Sequence, residues 1–169
     1  MIISDREFET AELTPTRATH GKTWHSNEGC CAAAHAIDQD PSTKAVTHTD
    51  NGSGWLKIEL DRSRYIRNVV IYYKFYNSWY HSYDACVQTE ENFVNCVNDD
   101  LGGLSVSVYQ GEVKRKSCDE LNKNHGLEKS DQIYNLPCNA VGDSVKLSKS
   151  RGNIVVFEVA VTSKGAVKI

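Results

Sequence analysis

Most of the chain reads as short alternating strands. In "WLKIEL", Leu56, Ile58 and Leu60 alternate with Trp55, Lys57 and Glu59, which gives one buried face. "LSVSVY" sets Leu104, Val106 and Val108 against Ser105, Ser107 and Tyr109, and "SVKLS" (144–148) repeats the pattern more briefly. "YIRNVVIYYK" (65–74) is apolar on both faces past Asn68, as expected of a strand inside a sandwich. "NIVVFEVAV" (153–161) is the strongest strand signal. Val155, Phe157, Val159 and Val161 form one face; Ile154, Val156, Glu158 and Ala160 form the other. Helical signal is confined to "CAAAHAI", Cys31 to Ile37, a short helix ahead of a loop.

Turn residues separate these runs, at Asp50-Asn51-Gly52, Gly102-Gly103 and Gly142-Asp143. Many short strands with few helices predict an all-β fold, a β-sandwich or jelly roll. There is no internal repeat. Residues 1–16 are polar, with Pro15 near their end, and read as an arm before the domain. Residues 17–162 form the domain and 163–169 a tail. A chain of 169 residues suffices for one domain with a full core.

Seven aromatics fall between Tyr72 and Tyr83, against 3 Trp, 8 Tyr and 4 Phe in the whole chain. Asn77, Ser78, His81 and Ser82 interrupt them, so not all can be buried. The exposed part either stacks on a ligand or closes a core under a disulfide-tied loop ending at Cys86.

The net charge of -3 gives no broad basic footprint, so no nucleic-acid partner is expected. Lys114, Arg115 and Lys116, the one basic cluster, read as a solvated hairpin tip. No apolar run approaches the roughly 18 residues of a membrane helix, and no transmembrane segment is expected. The start, MIISDREFE, shows no signal peptide; the chain reads as a mature segment. Six cysteines without a CxxC pair fit neither a zinc site nor a thioredoxin motif. They fit disulfides and an extracellular setting, with the Asn51-Gly52-Ser53 sequon in support. Cys118 with Cys138, flanking one polar loop, is the first pairing expected. Cys30 and Cys31 are expected to reach Cys86 and Cys96 rather than each other.

No GxSxG, GxGxxG, P-loop or HExxH occurs, and the histidines are scattered, so nothing nominates an enzyme. Two features could carry binding chemistry. In "HAIDQDPSTKAV" (35–46), Asp38 and Asp40 lie two apart in a stretch that Pro41 keeps out of helix. Carboxylates so placed, with carbonyls turned the same way, suit a hard cation such as Ca²⁺; alternatively, both aspartates cap turns. The second feature is Glu158, on a face with Ile154, Val156 and Ala160. An ionised carboxylate there needs a partner or takes up a proton. A cation shared with the 35–46 loop, an arginine or a solvated rim position would each serve.

"ATHGKTWHS" (18–26), "AIDQDPSTKAVTHT" (36–49), "GWLKIELDRSRYIRNVVIYYK" (54–74), "LSVSVY" (104–109) and "VVFEVAV" (155–161) occur in one order. Together they resemble the F-type lectin, or fucolectin-like, domain of the discoidin and coagulation-factor C-domain superfamily, over roughly residues 17–162. The resemblance implies an eight-stranded jelly-roll β-sandwich with one structural Ca²⁺. Its ligands would fall on His35 and Phe157 (backbone oxygens), Asp38 and Glu158 (carboxylates), Asp40, and Ala45. Ala45 stands where the family usually has serine and could offer only its backbone oxygen. For the sugar site, His48 matches the family's histidine. Lys74 stands where an arginine is expected and Tyr76 where an aspartate is. A planar fork thereby becomes a point charge, and an acceptor is lost, which implies altered specificity. Phe75 to Tyr83 would form the loop at the sandwich end. There Trp79, with Tyr76 or Tyr80, offers flat faces to a sugar, and Lys74, Asn77 and His81 offer polar contacts.

Three readings follow. The first is an extracellular, calcium-dependent, lectin-like module that binds glycans or glycoproteins with non-standard specificity. The second is a protein-interaction or adhesion module that has lost sugar binding and meets cell-surface or matrix proteins. The third is membrane insertion through end-loop apolar residues, which ranks last because the loop carries tyrosine hydroxyls.

Overall fold

The computed structural model describes residues 10–20, 32–48, 54–74, 101–121, 132–150 and 153–164. Its strands are β1 (Thr10–Leu13), β2 (Arg17–His20), β3 (Ala45–His48), β4 (Trp55–Tyr73), β5 (Ser105–Gln110), β6 (Val113–Glu120), β7 (Gln132–Ser148), β8 (Asn153–Val156) and β9 (Glu158–Lys164). A seven-stranded sheet runs β1-β9-β4-β7-β5-β6, with β2 also paired to β4. β3 and β8 form a second, two-stranded sheet. Every pairing is antiparallel. The expected all-β sandwich is present, and one buried cluster joins residues of both sheets.

Local sequence explains most of this. Leu56, Ile58, Leu104, Val106 and Val108 are buried, as their alternation requires. The stretches 55–60 and 65–74 are not separate strands, however. They belong to one strand of 19 residues, β4. Between Glu59 and Arg64 the register slips, so Leu60–Ser63 stand against Asp143 alone. This is a bulge rather than a turn. Gln110 Nε2 and the Gly111 N–H each donate to the Asp143 carboxylate, at 3.1 Å, and fix that corner. A second slip lies between Ile66 and Asn68. Cys138 and Asn139 face Arg67 there, and Asn139 takes a φ of 52°. Past it the buried positions of β4 change parity, from Leu56, Ile58 and Ile66 to Val69, Ile71 and Tyr73.

Three further expectations change. Thr10–Leu13, within the expected arm, pairs with β9 as a sheet strand. The short helix is one 3-10 turn, Ala33–Ile37. The hairpin tip is Gly111-Glu112; Lys114, Arg115 and Lys116 lie beyond it on β6, the last strand in the sheet order. Exposed cations on a terminal strand discourage edge-to-edge pairing. The expected Cys118–Cys138 disulfide is formed. The expected partners of Cys30, Cys31, Cys86 and Cys96 lie outside the described residues.

Candidate functional site

The "NIVVFEVAV" stretch is not a single strand. It changes sheets at Phe157, which follows β8 of the small sheet and precedes β9 of the large one. The Phe157 N–H donates to the Tyr72 carbonyl at 2.9 Å and thereby anchors the crossing. Its ring is buried and meets Tyr73 edge-on, with centroids 5.8 Å apart. Tyr72 meets it edge-on from 6.5 Å. Lys74, directly after β4, holds its Nζ 5.8 Å from the Phe157 centroid. One aromatic thus supports both the strand switch and the cation at the rim.

The 3-10 turn delivers the aspartate loop to the same place. His35 Nδ1 and the Lys44 carbonyl are 3.1 Å apart, which closes the loop's base. Gln39 has a φ of 61°, turning the chain between the two aspartates. Asp38 Oδ1 accepts from the Asp40 N–H at 2.9 Å, and Asp38 Oδ2 accepts from the Thr43 hydroxyl at 2.5 Å. Asp40 Oδ1 accepts from the Ser42 N–H at 2.9 Å and from its hydroxyl at 2.6 Å. Both aspartates therefore organise turns, as the plainer reading of this stretch held.

Asp38 does more than cap. Its carboxyl faces that of Glu158, the first residue of β9. Glu158 Oε1 is buried and accepts no hydrogen bond. Burial, and after it the facing Asp38 carboxyl, push the Glu158 pKa up to about 8, against the pull of the Gln39 and Asp40 N–H groups. Asp38 moves the other way. Burial raises it, but the Thr43 hydroxyl, Glu158, the Asp40 N–H and His35 together hold it below the usual carboxylate range. The two shifts run in opposite directions, so Glu158 is the acid of the pair that binds a proton more tightly. The Ser42 hydroxyl and N–H keep Asp40 low, and the charge of Lys74 adds to this. The aspartate loop, Glu158 and Lys74 thus form one electrostatic group.

The two carboxylates and an orphaned buried oxygen are of the donor type a hard cation takes. Among the described residues no three His, Cys, Asp or Glu side chains gather as a metal cluster, so main-chain oxygens would have to complete any such site.

The structure brings His35, Asp38, Asp40, Phe157 and Glu158 together with Lys74, as the geometry above shows. Ala45 is buried and pairs with Val156 at the edge of this group. His48 lies three positions further along β3, opposite Asn153, or about 10 Å at the usual strand rise. Tyr76, Asn77, Trp79 and His81 lie outside the described residues. Sequence reading missed Thr43, which bonds Asp38, and the Phe157 ring as the support beneath Lys74. A threonine five residues past an aspartate carries no distinctive signal.

No protein-family model matches the chain, and no curated protein sequence matches it. Solved structures do share its fold. A mutant of the lectin binding domain of lectinolysin complexed with Lewis b superposes with a TM-score of 0.64 at 15% identity, over 92% of this chain and 97% of that one. A family 32 CBM from C. perfringens NanJ in complex with galactose gives 0.64 at 13% identity, over 92% of this chain and 100% of that one. A fucolectin from striped bass (Morone saxatilis) serum gives 0.55 at 14% identity, over 88% of this chain and 45% of that one. The chain has the discoidin-like β-sandwich of these lectin and carbohydrate-binding modules.

Proposed function

We propose that the chain is an extracellular, non-catalytic carbohydrate-binding module, stabilised by Ca²⁺, that engages glycans at the sandwich end carrying Lys74. The observation that carries this reading is the Asp38–Glu158 carboxyl pair with its orphaned buried oxygen, set beside Lys74 at that rim. Solved modules of this fold hold Lewis b and galactose. The Cys118–Cys138 disulfide supports an oxidising compartment. No helix among the described residues is long and apolar enough to cross a membrane.

The carboxylates of Asp38 and Glu158 would hold the ion, with main-chain oxygens of His35, Asp40, Ala45 and Phe157 completing the shell. Bound Ca²⁺ would neutralise both acids and tie the aspartate loop to the sheet switch. Lys74 would then present its ammonium to sugar hydroxyls from above the Phe157 ring. A point charge imposes less geometry than a guanidinium fork, which favours a specificity other than ordinary fucose recognition.

A broad glycan array, probed with Ca²⁺ and again with EDTA, tests the proposal. The expected result is binding to one glycan class that falls with EDTA and with Lys74→Ala. Silence across fucosylated, galactosylated and anionic glycans in Ca²⁺ would overturn it. Capture of a surface protein that survives free sugars and deglycosylation would favour an adhesion module instead.

A further inference from the structure

The outer face of the large sheet carries a second constellation. Trp55 opens β4, whereas Lys74 follows its last residue, so the two belong to opposite ends of that strand. In one row across the sheet, Trp55 stands beside Ser148 of β7, then Ser105 of β5, then Glu120 of β6. In the next row Lys146 pairs with Ser107, and Ser107 with Ser117. Tyr109 lies one more row along the same face. These rows line a groove of about 590 Å³, within the range of small-ligand sites.

Its composition is unusual for an exposed strand face. β-branched and aromatic residues best stabilise such positions. Here four serines, Ser105, Ser107, Ser117 and Ser148, share the lining with the two aromatics, and Lys114 lines it as well as Lys146. Short side chains leave a trough and line it with hydroxyls. The half-buried Trp55 and Tyr109 rings stand along it, with Lys146 Nζ 5.0 Å from one centroid and 5.3 Å from the other. Asp119 and Glu120 close the β6 side.

We propose that this groove binds a short neutral oligosaccharide. Trp55 and Tyr109 supply flat faces for the C–H side of pyranose rings. Asp119 and Glu120 accept from vicinal hydroxyls, and Lys146 donates to ring and hydroxyl oxygens once its flexible stem moves off the aromatic faces. Each sugar hydroxyl both donates and accepts, so a lining with acids, ammonium groups and serines suits it. Lys114 and Lys146 are matched by Asp119 and Glu120, so the lining carries no net charge to favour a polyanion. A peptide would pair its main chain at a sheet edge rather than on a pleated face. The site needs no cation and no residue of the Lys74 rim, so it stands apart from the function proposed above.

The experiment is titration of ¹⁵N-labelled protein with neutral tri- to hexasaccharides of glucan, mannan, xylan and galactan series, with and without EDTA. The expected result is amide shifts centred on Trp55, Ser105, Ser107 and Lys146 that persist in EDTA. Trp55→Ala should weaken the binding read at these amides about tenfold or more. Because Trp55→Ala could loosen the start of β4, Ser105→Gln, which fills the trough, is the second variant and should weaken binding equally. The inference fails if no oligosaccharide moves these amides, or if both groove variants bind like wild type. It also fails if shifts centre on Lys74 and Phe157, a result that would leave the rim reading intact.

Discussion

The carboxyl of Glu158 faces that of Asp38 across the seam where the chain changes sheets, and burial with the facing acid favours a proton on Glu158. The folded protein grips that proton more tightly than an unfolded chain, because the Glu158 pKa rises from 4.5 to about 8. The stabilising contribution is therefore complete below about 4.5 and is lost as pH rises through about 8. In EDTA, the melting temperature should fall between mildly acidic and mildly alkaline buffer. Ca²⁺ would replace the proton, so its stabilising effect should grow over the same interval. Glu158→Gln should flatten the slope in EDTA and abolish the Ca²⁺ response. A Glu158→Gln protein that keeps both would rule out the pair as their source.

Phe157 is the packing counterpart of that charge pair. Its ring is buried, supports Lys74 and meets two tyrosines edge-on. Phe157→Ala should cost about 3–5 kcal/mol in urea unfolding. Phe157→Leu should cost less while still loosening Lys74. If Phe157→Leu retains full glycan affinity, the ring does not position the ammonium.

Sequence pattern revealed the strands with one apolar face and the acid that needed a partner. Leu104, Val106 and Val108 are buried as their alternation implied. The aspartate loop does meet Glu158. What stayed hidden has physical reasons. Ile154, Val155, Val156 and Phe157 are all buried, so no polar position marks the sheet switch. Gly142-Asp143 reads as a turn, yet it lies inside β7 opposite the bulge of β4, because pairing between the two strands resumes at Arg64. Thr10–Leu13 is only four residues long; its place in the sheet comes from β9, far away in sequence. The groove was missed because alternation marks Trp55, Ser105, Ser107, Tyr109, Lys146 and Ser148 only as outward positions and does not say which strands lie side by side.

Gly142 tests how closely β5 and β7 pack. A Cβ at this position would come within 2.5 Å of both the Tyr109 carbonyl oxygen and Val108 Cγ1. The backbone oxygen belongs to a paired strand and cannot easily withdraw. Gly142→Ala should therefore destabilise by about 1–3 kcal/mol despite its higher strand propensity. It should also displace Tyr109, and a chemical-shift change at that ring would show it. A neutral or stabilising result would mean that the two strands are not held as closely as described.

The Cys118–Cys138 bond yields the last prediction. Val106 pairs with Asp119 and Ser107 with Ser117, so Cys118 is the extra residue of a bulge in β6. Cys138 sits at the other bulge, beside Asn139, and is fully buried. In the sheet order β5 stands between β6 and β7, so the disulfide makes a link that ladder hydrogen bonds cannot. The bridged residues are 20 apart in sequence, which corresponds to about 3 kcal/mol of chain-entropy stabilisation. Among the described residues β6 has ladder hydrogen bonds with β5 only, and it exposes most of its side chains. The Cys118→Ala/Cys138→Ala double variant should lose about that much stability in denaturant unfolding. The loss should also be local: hydrogen exchange should accelerate across Val113–Glu120 before it does in Glu158–Lys164. Uniform acceleration, with β6 no faster than β9, would show that the bond stabilises the whole domain rather than pinning its terminal strand.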